Sequence, residues 1–84
     1  MEKGFNSDVI YRGLTFHIQS EDWGFQNPFL VSRVYQNGAV VKSFKTSYSD
    51  AIVRTNMRDI EAIRHALREQ HQKVLELLIS GQLI

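Results

Sequence analysis

The residues best equipped for chemistry lie in the stretch "TFHIQSEDWG", Thr15 to Gly24. His17 sits between two apolar residues, the carboxylates Glu21 and Asp22 follow within five positions, and the chain's one tryptophan, Trp23, comes next. An imidazole beside carboxylates can hold a metal ion or move protons. On a strand, alternate side chains share a face, which aligns Thr15, His17, Gln19 and Glu21. Asp8 comes opposite His17 if the chain turns back between them. Asp8, His17 and Glu21 are therefore the candidate polar cluster. A metal needs three or four converging ligands, and a catalytic metal needs an open position as well. One imidazole and carboxylates on a solvated face fall short of that. The expectation is a modest cross-strand contact between Asp8 and His17, with no metal and no catalytic residue.

Other chemistry is thinner. His65 falls on the polar side of a helical pattern and His71 near the edge of its apolar stripe, where a partly buried, hydrogen-bonded imidazole is expected. Six residues apart, they are not helix neighbours. The chain has no cysteine, hence no disulfide and no thiolate. No G-x-S-x-G motif is present, and the five glycines are scattered singly, so no loop cradles a phosphate and no cofactor motif is found. The sequence argues against an enzyme.

A surface for binding is better supported. Arg33, Tyr35, Lys42 and Phe44 fall on one face of a hairpin, with Lys45 on the same strand. Cations interleaved with aromatics on a sheet serve single-stranded nucleic-acid binders, rings stacking bases and cations holding phosphates. The same residue types anchor protein interfaces. Trp23 joins this candidate interaction surface if it is solvated. Net charge is +1, but it is unevenly spread. Residues 1–22 carry −2, residues 23–49 carry +3, and residues 50–84 balance five acids with five bases.

These residues must be positioned by two hairpins and a helix. In "SDVIYRGLTFHIQS", Arg12-Gly13 serves as a two-residue turn, so that Tyr11 faces Leu14, Val9 faces Phe16 and Ser7 faces Ile18. In "PFLVSRVYQNGAVVKSFKT", Asn37-Gly38 is the clearest turn signal. A strict register from it pairs Tyr35 with Val40, Arg33 with Lys42, Val31 with Phe44, and on the other side Leu30 with Lys45. One helical turn is expected at Ser49 to Val53. A long helix follows over about 57–80, capped by Thr55 or Asn56, with Ile60, Ile63, Leu67, Val74 and Leu78 as its apolar stripe and Gly81 as its stop. "VLELLIS" is apolar on more than one side, which points to an extra contact.

The fold class predicted is α+β: an antiparallel meander of about four strands with one long C-terminal helix packed on one face. Eighty-four residues make a single small domain, residues 1–84, with the sheet over about 7–46. The 43% hydrophobic fraction belongs to a folded chain. "MEKGFNSD" has no apolar run for a signal peptide, no stretch approaches a membrane span, and the expected location is cytoplasmic.

The segments "YRGLTFHIQSED" and "VSRVYQNGAVVKSFKTSY" resemble a group of short, uncharacterised bacterial proteins with an R-G-x-T-x-H-x-Q-x-E-D segment, a hairpin ending in K-T-S-Y and an "EQH" helix. The resemblance covers about Phe5 to His71. It implies a bacterial cytoplasmic protein and marks Arg12, His17, Gln19, Glu21, Asp22, Lys45, Thr46, Tyr48 and His71, without assigning them any chemistry. The residues lead to a protein–protein interaction or adaptor module, self-associating as a homodimer. The alternative is single-stranded nucleic-acid binding through the second hairpin.

Overall fold

The computed structural model describes residues 4–52 and 60–83. Four strands, β1 (Gly4–Tyr11), β2 (Leu14–Asp22), β3 (Phe29–Gln36) and β4 (Ala39–Ser47), form one antiparallel sheet in the order β1-β2-β3-β4. A short helix α1 (Tyr48–Ala51) and a long helix α2 (Ile60–Ile79) follow, and α2 lies across one face of the sheet. The predicted α+β meander with its C-terminal helix is the observed fold. The expected capping residues Thr55 and Asn56 lie outside the described residues.

Both hairpins turn on two residues in the left-handed region: Arg12 and Gly13 at φ 53° and 80°, Asn37 and Gly38 at φ 53° and 79°. Positive φ at both central positions is the mirror-image turn whose twist matches that of paired strands. The first hairpin keeps the expected register, with Val9 opposite Phe16 and Asp8 opposite His17. The second does not. Tyr35 pairs with Val40, but Val34 pairs with Lys42, so Val41 is an extra residue in β4. Downstream, Arg33 meets Ser43, Ser32 meets Phe44, Val31 meets Lys45 and Leu30 meets Thr46. A one-residue slip sends every later side chain to the opposite face. The bulge thus turns Phe44 toward the core and Lys45 toward solvent, the reverse of strict pairing. The strict register fails because it would have placed an ammonium beside Leu30 in the core and left a phenyl ring outside.

The core lies between sheet and helix in two apolar clusters. Phe16, Ile18 and Val34 pack on Val74 and Leu78 near the C-terminal half of α2. Leu30, Tyr48 and Ile52 pack on Ile63 and Leu67 near its start. Of the expected apolar stripe, Ile60 is the exception, being 61% exposed. At the other end, Gly81 adopts φ 80°, its N–H donates to the Leu78 carbonyl and the Gln82 N–H to the Leu77 carbonyl. That pair of bonds is the Schellman stop glycine favours. Leu75 packs on the neighbouring cluster, as does Leu83 further on, and this accounts for part of the apolar excess in "VLELLIS", while Ile79 stays exposed. The expected turn after β4 begins one residue early: Ser47 caps α1, accepting from the Asp50 N–H at 3.1 Å.

Candidate functional site

Between the two apolar clusters runs a buried polar seam. His71 Nδ1 lies 2.7 Å from Ser20 Oγ and its Nε2 2.8 Å from Ser7 Oγ. Ser20 and Ser32 hydroxyls are 2.7 Å apart, and the Gln70 amide donates to Ser32 Oγ at 2.9 Å and to the Leu30 carbonyl at 3.2 Å. The direction of these bonds follows from who can donate. Gln70 gives to Ser32, Ser32 to Ser20, Ser20 to His71 Nδ1, and His71 Nε2–H to Ser7. The reverse order would strand a hydroxyl proton on Ser32, which has no solvent exposure, whereas this one leaves the spare proton on half-buried Ser7. His71 is 5% exposed, and burial, with a smaller contribution from the charge of His17, holds its pKa below the ordinary imidazole value. A serine beside a histidine is half of a nucleophilic pair, but Ser20 is sealed from solvent and a hydroxyl, not a carboxylate, sits at the far ring nitrogen. The seam holds α2 on the sheet. Serines at inward positions of three strands, Ser7, Ser20 and Ser32, were the sequence signal for it.

Among the described residues nothing covers the opposite face of the sheet, which mixes polar side chains with exposed Ile10 and Val40. Its cross-strand rows are Asp8–His17–Tyr35–Val40, Asn6–Gln19–Arg33–Ser43 and Gly4–Glu21–Val31–Lys45, with Trp23 and Phe29 beyond. His17 Nδ1 donates to Asp8 Oδ1 at 2.7 Å, Nε2 lies 3.3 Å from Asn6 Oδ1, and the Tyr35 ring is 6.2 Å away. Asp8 is 77% exposed, so this pair contributes little to stability. Glu21 shares the face but not the cluster. Four residues along a strand from His17 is roughly 13 Å, and its carboxylate accepts instead from Trp23 Nε1 at 3.2 Å and Gln19 Nε2 at 3.4 Å. Among the described residues no three His, Cys, Asp or Glu side chains are placed to hold a metal ion.

At the other end of this face the cations meet the aromatics. The Arg33 guanidinium is 5.9 Å from the Trp23 ring centre, and Lys45 Nζ is 5.3 Å from Trp23 and 4.3 Å from Phe29. Val31 lies in the same row as Lys45 and is only 5% exposed. Trp23 itself is on the surface at 38% exposure. The predicted interaction set is therefore divided: Trp23, Arg33, Tyr35 and Lys45 share the open face, whereas Lys42 and Phe44 point to the helix side because of the bulge at Val41. Phe29, which the sequence did not single out, belongs to the cluster.

A cleft of about 560 Å³ opens at the sheet end near the start of α2, lined by Phe5, Trp23, Phe25, Tyr48 and Arg64 among others. Inside it the Tyr48 hydroxyl donates to Asp22 Oδ1, which also accepts the Gly24 N–H at 2.9 Å. Burial first, then the bond to Asp22, pushes the Tyr48 phenol well above its ordinary value. The hydroxyl is thus kept neutral as a tie between the end of β2 and α1, and is no proton donor for chemistry.

No protein-family model, curated protein or solved structure matches this chain, so its function is read from the geometry above.

Proposed function

We propose that this chain is a protein–protein interaction module, a binding domain and not an enzyme, that associates with copies of itself in a bacterial cytoplasm. The observation that carries the reading is the sheet face opposite α2. Helix α2 packs on the other side, and the open face gathers Trp23, Phe29, Arg33 and Lys45 over a buried Val31. Tryptophan and arginine are the residue types that most often carry interface energy, and a rigid sheet presents them at low ordering cost. The bacterial cytoplasmic setting rests on the resemblance of its two hairpins alone.

Rings and cations on one face also suit a single-stranded nucleic acid. Charge argues against that. The strands' outward charged residues are Asp8, Glu21, Arg33 and Lys45, which sum to zero and leave no footprint for a polyanion. Light scattering across a concentration series, with a labelled oligonucleotide titrated at low salt, separates the two. The expected result is mass rising with concentration and unchanged anisotropy. A strict monomer at high concentration that captures no protein overturns the reading, as does tight salt-sensitive oligonucleotide binding.

A further inference from the structure

The four outward charges are segregated. Asp8 and Glu21 lie on β1 and β2, Arg33 and Lys45 on β3 and β4, so one half of the open face is acidic and the other basic. Such a face is complementary to itself under one kind of symmetry. A two-fold axis lying between two sheets and running along the strands lays β1–β2 of one copy over β3–β4 of the other, the acidic half over the basic half in both directions, with Glu21 over Val31 and beside Lys45 and Arg33, and Asp8 over Val40. The other in-plane axis, across the strands, lays the acidic half on the acidic half and Arg33 on Arg33. The favourable axis also keeps each row over itself. Trp23 of one copy then meets Phe29 of the other at one end, and His17 meets Tyr35 at the other end. Gln19 meets Arg33 between them.

We propose that the open sheet face is the homodimer interface, closed face to face about a two-fold axis parallel to the strands, with the Asp8/Glu21 half of each copy set against the Arg33/Lys45 half of the other and Glu21 nearest the two cations. This rests on the self-association reading above and deepens it by naming the surface, the partner and the symmetry. Size sets the strength. Four strands of about eight residues cover roughly 19 by 26 Å, so the pair buries about 1,000 Å² in total. That is the lower end for a specific interface and belongs to a weak, reversible dimer. Steering and register come from the charges, the adhesion from Trp23, Phe29 and Tyr35.

A charge swap tests it. One variant carries Asp8→Lys with Glu21→Lys, the other Arg33→Glu with Lys45→Glu, each checked for folding by circular dichroism. All four positions are on the open face and away from the core. Sedimentation equilibrium is then run on wild type, each variant, and their equimolar mixture. The expected result is a wild-type dimer, dimer Kd raised about 100-fold or more in each variant alone by like-charge repulsion, and restored association in the mixture as a heterodimer. If a double variant does not fold, Glu21→Lys and Arg33→Glu singly, then mixed, read the same pairing. Variants that dimerise as wild type does, or a mixture that stays monomeric while wild type dimerises, overturn the interface and leave self-association through another surface standing. A monomeric wild type overturns both.

Discussion

At the residue scale, His71 is the side chain whose chemistry most affects the fold. It is neutral in the seam, accepting at Nδ1 and donating at Nε2. Protonation would make both nitrogens donors, reverse Ser20 and Ser32, and leave a buried hydroxyl proton without an acceptor. Its folded pKa is depressed by burial. The unfolded chain takes up the proton near pH 6.5, the folded chain only lower down. Below that value the unfolded state binds more protons, so stability is full above about pH 6.5 and falls as pH drops, until the folded imidazole itself protonates. Urea unfolding at pH 7.5 and pH 5.5 measures the loss. His71→Gln is expected to shrink that pH difference while lowering stability at neutral pH by about 1–3 kcal/mol, through the seam groups left unpaired. An equal pH dependence in both proteins would refute the assignment. His17, by contrast, sits in an exposed pair with Asp8 and carries little of the fold's stability.

At the scale of elements, the bulge in β4 decides which residues meet. Val41 is the extra residue, and everything from Lys42 onward follows from it. Deleting Val41 joins Val40 directly to Lys42 and restores regular pairing with Phe44 still facing the core. The deletion is expected to fold, with a stability change within about 1 kcal/mol. Loss of the folded protein's NMR amide map on deletion would refute Val41 as the extra residue of this register. The end of α2 supplies a second test. Gly81 combines φ 80° with a closeness to Tyr11, whose Oη would lie 2.7 Å from an added Cβ. Gly81→Ala is expected to cost about 1–2 kcal/mol in urea unfolding, from the left-handed backbone and the displaced ring.

At the scale of the whole molecule, the domain is two layers thick, with one covered and one open sheet face. An 84-residue chain has stability of about 4–13 kcal/mol to lose. Leu78 is fully buried beside Phe16, Ile18 and Val34, and Leu78→Ala is expected to cost about 2–5 kcal/mol, a large share of that total. Its thermal midpoint by circular dichroism should drop by many degrees, whereas exposed Ile79→Ala should barely move it. Edges are the other whole-molecule feature. β1 and β4 both end the sheet, and β4 is exposed along most of its length. The bulge and Lys42 and Lys45 on β4 are devices that discourage edge-to-edge pairing, in keeping with the face-to-face association proposed above.

The sequence by itself determined the elements. Period-two alternation, two turns with glycine at their second position and a 3.6-residue apolar stripe are local signals, and local backbone sterics suffice to read them. They led to the meander, the Asp8–His17 pairing and a bonded His71. Tertiary structure alone decided the rest. No local rule places a bulge at Val41; it arises because β4 must present Phe44, not Lys45, to a core built with α2. That slip dissolved the expected Arg33–Tyr35–Lys42–Phe44 face and brought Arg33 and Lys45 together with Trp23 and Phe29. Likewise Ser7, Ser20 and Ser32 become a network only when a helix 38 to 64 residues later sets Gln70 and His71 against them. Side-chain period is legible from neighbours in sequence; which face a strand's residues share with a distant element depends on burying the most apolar surface at once.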